Sequence, residues 1–254
     1  MLGAEQQEVK ENLVGVKHII AIHSGKGGVG KTFFAINLAY GFAKLGKRVG
    51  ILDADIDCPN VPKFLGIATT ITLGKQQRMS AYPVAGILIM SSAFLHEDEV
   101  SPFIIRGPIK HQLLRDFLAK TSWGALDYLI IDLPPGTSDV PLSVYQFLSG
   151  VSVILVSTPQ KEAIMDTMKS AILAKQSLAT ILGFVENMSG TIFGVEKVDQ
   201  IAKGLSIPVL AHIPLLQSIA ELSESKQPAL VNDEMLWKEL MQPLLEKIIA
   251  ALKK

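Results

Sequence analysis

The stretch IHSGKGGVGKTFF, residues 22–34, carries residue types that bind phosphate. Within it, GKGGVGKT has the spacing GxxxxGK[ST], in which glycines let successive backbone N–H groups turn onto phosphate oxygens. Lys31 would reach the β- and γ-phosphates, and the Thr32 hydroxyl would ligate Mg²⁺. The pattern needs only one lysine, so Lys26 requires a separate explanation. The spacing predicts a nucleotide site formed by Gly25, Lys26, Gly27, Gly28, Val29, Gly30, Lys31 and Thr32.

A metal ion held at this loop needs an acidic partner, and YLIIDLPPG, residues 128–136, supplies one. Asp132 follows an apolar run and is predicted to hold Mg²⁺ through water, as a strand-end acid does beside such loops. The Pro-Pro-Gly-Thr sequence that follows would sense the γ-phosphate, with the Gly136 amide as its contact. A simple turn at the strand end is the alternative reading.

A second apolar run ends in three acids at alternate positions, Asp53, Asp55 and Asp57. If the chain stays extended there, all three side chains point to one side and repel each other unless a cation lies between them. Asp53 and Asp55 are predicted to orient Mg²⁺-bound water and the attacking water. A solvated loop is the alternative for all three, and for Asp57 it is as good as the functional reading.

Short apolar runs alternate with helical patterns along most of the chain, which predicts βαβ units and a mostly parallel sheet. We therefore expect an α/β fold, doubly wound, with helices on both faces and functional loops at the carboxyl ends of the strands. The strands are predicted at residues 18–24, 48–55, 86–92, 127–136, 151–159, 179–187 and 207–214. The helices are predicted at residues 31–46, 110–118, 140–148, 161–176 and 195–205.

The chain reads as a single domain, residues 1–254, without repeats or a linker. Residues 1–16 form a polar lead-in, with a helix or a loose segment at 4–13. Residues 69–85 look like an insertion, with a small hairpin as one form. A helix is predicted over 233–254, kinked or restarted at Pro243. Its apolar face would pack on the sheet; a membrane is the less favoured target, because acidic residues interrupt the polar face.

Composition narrows the functional classes. Lys+Arg and Asp+Glu both number 24, so the formal net charge of zero points to no nucleic-acid partner. The single cysteine, Cys58, excludes an intrachain disulfide and a four-cysteine metal site, and fits a reducing cytosol. The N-terminus lacks the apolar core of a signal peptide, and no apolar run approaches the length of a spanning helix. A soluble, cytoplasmic protein is expected.

Further motifs carry a family resemblance. The loop SGKGGVGKT, with lysine directly after its first glycine, resembles the deviant Walker A loop of the MinD/ParA/nitrogenase-iron-protein class. Within that class, the Mrp/ApbC branch is similar over residues 17–230, and its motifs appear here in order. They are ILDADIDCPNVP (51–62), FIIRGP (103–108), WGALDYLIIDLPPGTSD (123–139), VSTPQ (156–160) and VENMS (185–189).

This resemblance implies a P-loop ATPase that uses ATP and Mg²⁺ and forms a homodimer through its nucleotide face. In the class, the additional lysine, here Lys26, reaches the phosphates bound by the other subunit. A cation supplied in this way favours the dimer only when phosphates are present, and it stabilises charge at the transferring phosphoryl group. Adenine recognition by Asn187 and Pro214 is also implied, with turn positions as the alternative.

The chain departs from the family at one point. Mrp/ApbC members carry a CPxC segment after VENMS, whose cysteines from two subunits hold an iron–sulfur cluster. Here GTIFGVEKVDQIAK follows, without cysteine. Cys58 would bridge a cluster only with outside ligands, and a small, semi-buried cysteine is the favoured reading. The expected function is ATP-dependent iron–sulfur cluster assembly or transfer, with a scaffold or acceptor protein as partner. A MinD/ParA-like positioning ATPase and a partner subunit of a complete carrier are the alternatives.

Overall fold

The computed structural model describes residues 2–68, 78–95, 106–190, 192 and 197–253. Within them, one sheet contains the strands β1 (Val16–His23), β2 (Val49–Asp53), β3 (Tyr82–Val84), β4 (Ile87–Ser91), β5 (Leu126–Asp132), β6 (Ser152–Ser157), β7 (Thr180–Ser189) and β8 (Val209–Pro214). Their order across the sheet is β3-β4-β2-β5-β1-β6-β7-β8. Every neighbouring pair is parallel except β3 and β4. The predicted doubly wound, mostly parallel sheet is confirmed.

Helices connect the strands and cover both faces of the sheet. They are α1 (Leu2–Asn12), α2 (Lys31–Lys44), α3 (Val61–Phe64), α4 (Gly107–Lys120), α5 (Asp139–Phe147), α6 (Lys161–Gln176), α7 (Lys197–Leu205), α8 (Gln217–Glu224), α9 (Ala229–Asn232), α10 (Glu234–Leu236) and α11 (Gln242–Ala251). A 3₁₀ turn spans Ser92–Leu95 and a π-helical turn spans Trp237–Met241. The helices predicted from periodicity are all present, with ends shifted by a few residues.

The two sides of the sheet carry separate cores because side chains alternate along each strand. In β5, Leu129 and Ile131 face the core beneath α1, α4, α5 and α7, whereas Ile130 faces the core beneath α2 and α11. Both faces are buried, so the strands read as continuous apolar runs. Burial on both faces leaves the carboxyl edge of the sheet as the place where polar loops collect.

The polar lead-in is an ordered helix. Val9 and Leu13 are buried against the core, which fixes one side of α1. The Asn12 side chain donates to the carbonyl oxygens of Leu118, at 2.8 Å, and Thr121, at 2.9 Å. Of the two forms predicted for residues 4–13, the helix is correct.

The described part of the predicted insertion contributes one strand of a hairpin, and the strand predicted at residues 86–92 supplies the other. Tyr82–Val84 pairs antiparallel with β4, and the turn uses positive φ angles at Ala85 (44°) and Gly86 (81°). Residues 69–77, the rest of that insertion, lie outside the described residues.

The C-terminal helix packs against α2 and β8 instead of presenting its apolar side to solvent. Met241, Leu245 and Ile248 are fully buried, and a Cβ at Gly41 of α2 would lie 2.8 Å from the Met241 Cε. The helix restarts near Pro243, directly after the π-helical turn, because proline has no N–H to continue the ladder. None of the described helices is both long and apolar enough to cross a bilayer.

Candidate functional site

The phosphate loop connects β1 to α2, and neighbouring elements press closely against it. A Cβ at Gly25 would lie 1.9 Å from the backbone carbon of Asp166 in α6, so only glycine fits. Gly30 directly precedes α2 with φ of 85°, and a Cβ there would lie 2.1 Å from the Asn187 Nδ2. Glycine is needed at both positions, at one for space and at the other for space and backbone conformation.

At the start of α2, Lys31 and Thr32 both contact Asp132. The Lys31 Nζ lies 2.8 Å from Asp132 Oδ1, and the Thr32 hydroxyl donates to Asp132 Oδ2 at 2.6 Å. Asp132 is fully buried and the Lys31 side chain is 7% exposed. The parallel register of β1 and β5 pairs Ile22 with Asp132, which brings the strand end to the loop. We call Lys31, Thr32 and Asp132 the central site.

The central site fits the predicted groups. A carboxylate and a hydroxyl lie within hydrogen-bond distance of each other, which is the oxygen donor set that Mg²⁺ takes in phosphate sites. A cavity of about 810 Å³ opens beside it, large enough for a nucleotide. The predicted residues that line this cavity are Lys26, Gly27, Gly28, Val29, Gly30, Lys31, Thr32, Asp55, Asn187 and Pro214. Gly25, Asp53, Asp132 and Gly136 are not part of its lining.

The three alternating acids do not share one side, because the condition for it, an extended chain beyond Asp53, is not met. β2 ends at Asp53, and the Ile56 amide turns back to the Ala54 carbonyl at 3.0 Å. Asp53 is fully buried and accepts hydrogen bonds from the Ser91 hydroxyl, at 3.0 Å, and the Val61 amide, at 3.1 Å. Here it holds loop and strand together.

Burial shifts the titration of these acids. It raises the pKa of Asp53 to about 8, and the neighbouring negative charge of Asp132 acts in the same direction. Burial also raises the pKa of Asp55, whose carboxylate accepts the Cys58 amide at 3.2 Å. Asp57, in contrast, points to solvent and pairs with the Lys110 Nζ at 2.6 Å. Of the three, Asp55 and Asp57 line the cavity and Asp53 does not.

The Gly136 amide is engaged within the chain. It donates to the Ser24 carbonyl at 2.8 Å, so its predicted contact with a γ-phosphate requires this turn to open. The Gly136 carbonyl lies 2.8 Å from the His23 Nε2, and the Tyr145 hydroxyl lies 2.8 Å from the His23 Nδ1. Since a carbonyl only accepts, this network assigns the hydrogen to Nε2 and makes the tyrosine a donor.

His23 was missed by sequence reasoning. Burial lowers its pKa to about 4, and the Lys31 cation adds to this, so the ring is neutral at pH 7. It connects the strand before the phosphate loop to the turn after Asp132. The available signal was a histidine directly after the apolar run of residues 19–22.

The other predicted residues occupy distinct positions. Lys26 is exposed in the loop and forms no ion pair with the described residues. Asn187 is buried, and its amide donates to the Val29 carbonyl at 2.9 Å, so it supports the loop. Pro214 ends β8 at the cavity. The adenine contacts of Asn187 and Pro214 stay predictions.

The chain is similar in sequence to known proteins. A family model described as "ParA: NUBPL iron-transfer P-loop NTPase" matches residues 15–249. The iron-sulfur cluster carrier protein of Methanocaldococcus jannaschii is 37% identical over 265 residues, which cover 98% of this chain and 91% of that protein. The iron-sulfur cluster transfer protein NUBPL of Mus musculus is 36% identical over 258 residues, covering 91% and 81%.

Solved structures show the same fold. A nucleotide-binding protein from Archaeoglobus fulgidus in complex with ADP, with cobalt found in it, superposes with a TM-score of 0.78 at 33% identity. That match covers 93% of this chain and 96% of the other. The cell division ATPase MinD of Pyrococcus furiosus superposes with a TM-score of 0.70 at 24% identity, covering 92% and 98%.

Proposed function

This chain belongs to the ParA family of NUBPL iron-transfer P-loop NTPases, and we propose that it is a Mg²⁺-dependent ATPase that dimerises through its nucleotide face and acts in iron–sulfur cluster assembly or transfer. The observation that carries the ATPase proposal is the central site. A loop lysine, a helix-start threonine and a strand-end aspartate meet within hydrogen-bond distance beside a cavity of nucleotide size.

Nucleotide binding would replace contacts within the central site. The Lys31 ammonium would exchange Asp132 for phosphate oxygens, while the loop amides and the start of α2 hold the same phosphates. Mg²⁺, held by Thr32 and through water by Asp132, would neutralise charge on the phosphates. The Asp55 carboxylate lines the cavity and is the better placed of the two predicted acids to orient an attacking water. The buried Asp53 would position the loop that carries it.

The proposed homodimer assigns a role to Lys26. Its ammonium is exposed at the cavity mouth, and it has no ion-pair partner among the described residues. A second subunit with bound phosphates would provide that partner, so the dimer would form only with nucleotide present. The same charge would stabilise the transferring phosphoryl group, as an arginine finger does.

Replacement of the loop lysine tests this dimer. We expect Lys26→Ala to bind ATP as the wild type does, but to lose ATP-induced dimerisation and most turnover. Light scattering with Mg²⁺ and ATP measures the mass, and phosphate release measures turnover. Lys47→Ala, an exposed lysine just beyond α2, is the matched control and should dimerise normally. Normal dimerisation of Lys26→Ala would rule out the role across the interface.

The cluster part of the proposal has a separate constraint. Cys58 is the only cysteine, and it is exposed and not semi-buried as predicted. A homodimer therefore offers two thiolates to a cluster that takes four ligands. This observation favours a second candidate, in which the chain acts together with a cysteine-containing carrier or acceptor protein. The ATPase would then drive transfer, and the partner would supply the remaining ligands.

Anaerobic reconstitution with iron and sulfide separates the two candidates. A chromophore with iron bound per dimer, lost in Cys58→Ser, would support carriage by this chain. Iron near zero per dimer would exclude independent carriage. In that case, ATP-dependent association with a separately purified cysteine-containing carrier is the expected result.

A further inference from the structure

Three metal-ligating side chains from three different elements converge near the carboxyl ends of β7 and β8, the last two strands in the sheet order. Glu186 lies in β7, Asp199 in the first turn of α7, and His212 in β8. One ligand atom from each lies within 4.8 Å of the others. The His212 Nδ1 is 3.1 Å from Glu186 Oε1, and its Nε2 is 3.3 Å from Asp199 Oδ2. We call these three residues the lateral cluster.

One carboxylate oxygen of the lateral cluster has an ion-pair contact but no hydrogen bond from the described residues. The Glu186 side chain is fully buried, and its Oε2 accepts the Val198 amide at 3.3 Å. Asp199 Oδ2 is shielded from solvent, and the His212 Nε2 lies 3.3 Å from it, but it accepts no hydrogen bond from the described residues. Buried polar atoms are nearly always paired in proteins, and an ion is one of the few explanations for an exception.

We propose that Glu186, Asp199 and His212 bind one divalent transition-metal cation. Imidazole nitrogen and carboxylate oxygen together suit a borderline cation such as Zn²⁺, with water completing the coordination. Donors around such an ion lie roughly 3.3 Å apart. The side chains of His212 and Asp199 are 39% and 43% exposed, so they are able to rotate the short distance toward the buried Glu186.

The lateral cluster is separate from the nucleotide site but adjoins it. Successive residues of β7 face opposite sides of the sheet. Glu186 contacts the Val198 amide of α7, whereas Asn187 contacts the Val29 carbonyl of the phosphate loop. A cation would thus fix α7 to β7 and β8 on the side opposite the loop. Cation binding at this position is independent of the ATPase proposal.

An arrangement without metal would use the same side chains. A protonated His212 could donate one ring nitrogen to each carboxylate, forming an ion-pair triad. A cation needs only one ring nitrogen, which must be unprotonated. The two arrangements therefore differ in metal affinity, which makes that affinity the decisive measurement.

The test uses the untagged full chain in a Cys58→Ser background, which removes the exposed thiol as a competing ligand. Zn²⁺ titration by calorimetry, without nucleotide, should give one site per chain. Co²⁺ should give a visible absorption band with nitrogen and oxygen ligation. We expect His212→Ala and Glu186→Gln to weaken Zn²⁺ binding by about 100-fold or more, and Asp199→Asn by about tenfold or more.

His111→Ala is the matched control. His111 is a partly buried histidine 3.9 Å from the Glu5 carboxylate, without a third ligand, and its removal should leave the affinity unchanged. Absence of Zn²⁺ binding, or equal binding by His212→Ala, would overturn the proposal in favour of the ion-pair triad. If Glu186→Gln does not fold by circular dichroism, the more exposed Asp199→Asn decides by the same criterion.

Discussion

The central site and the lateral cluster lie at the same edge of one sheet, yet they satisfy their charges differently. In the central site, both oxygens of the buried Asp132 receive a donor, at 2.8 Å and 2.6 Å. In the lateral cluster, Asp199 Oδ2 receives none from the described residues, and its side chain is 43% exposed. The central site is therefore complete without a ligand and must exchange partners to bind one. The lateral cluster gains a partner when a ligand binds.

A hydrogen bond connects the two regions. Asn187 follows Glu186 in β7, and its amide holds the Val29 carbonyl of the phosphate loop. The same amide occupies the space where a Cβ at Gly30 would lie. Changes on either side of β7 are thus expected to reach the loop through Asn187.

The two regions should differ most in the unfolding free energy that is lost when an aspartate in each is replaced by asparagine. Asp132→Asn leaves the Lys31 ammonium buried without a countercharge, which costs about 3–5 kcal/mol of unfolding free energy. Urea denaturation without nucleotide measures the loss. ATP with Mg²⁺ should recover part of it, because phosphates replace the missing carboxylate. A loss below about 1 kcal/mol would mean that the ion pair between Lys31 and Asp132 contributes little to the stability of the fold.

The next largest loss of unfolding free energy is expected at Gly30, where the chain is close to Asn187. Gly30→Ala combines positive φ with a Cβ 2.1 Å from the Asn187 Nδ2, and should cost about 2–3 kcal/mol. Gly28→Ala is the control, since φ is 78° but nothing lies within 4 Å of its Cβ, and should cost about 1 kcal/mol. Adding Asn187→Ala to Gly30→Ala should remove part of the additional loss that Gly30→Ala shows relative to Gly28→Ala. Equal losses for both glycines would show that the Asn187 contact does not couple β7 to the loop.

His23 makes the central region sensitive to acid. The pKa of His23 in the folded chain, about 4, lies below its ordinary value of 6.5, so the unfolded chain binds more protons in this window. Stability contributed by the neutral ring is present above pH 6.5 and is lost as the pH falls toward 4. Between pH 7 and 5 the loss is about 2 kcal/mol.

The measurement is the difference in unfolding free energy between pH 7 and 5, compared between the wild type and His23→Gln. The variant should show about 2 kcal/mol less change, since carboxylates titrate equally in both proteins. The control is His18→Gln. His18 lies in the same strand as His23 and stacks on Tyr128 of β5, and this variant should behave as the wild type. The same pH dependence in all three proteins would contradict the assignment.

The sequence was informative where a motif fixes local geometry. The loop spacing and a strand-end acid were enough to predict Lys31, Thr32 and Asp132, because parallel strands bring their carboxyl ends to one edge. The sequence did not predict the hydrogen-bond partners at positions where the chain turns. The bend after Asp53 breaks the alternation of the three acids, and the Gly136 amide bonds to Ser24.

The lateral cluster is a second feature that could not be predicted from the sequence. Glu186, Asp199 and His212 come from separate elements, and no spacing in the sequence marks them as a set. In the sequence, Glu186 stands out only as part of VENMS, and His212 lies in the predicted strand at residues 207–214 without a motif of its own. Their proximity depends on the register of β7 with β8, which pairs Glu186 with His212. Such a register cannot be read from either strand alone.

The smallest effect is expected from Asp199→Asn without metal. The lost oxygen had no hydrogen bond from the described residues, and an ion pair between partly exposed side chains contributes little, so the cost should stay below about 1 kcal/mol. Zn²⁺ at a hundredfold excess over its dissociation constant should stabilise the wild type by about 2.7 kcal/mol and the variant by much less. Metal-free urea denaturation followed by the same titration tests both parts. If Asp199→Asn without metal loses nearly as much unfolding free energy as Asp132→Asn, the lateral cluster is an ion-pair network that is already satisfied without a cation. The contrast between the two regions would then be wrong.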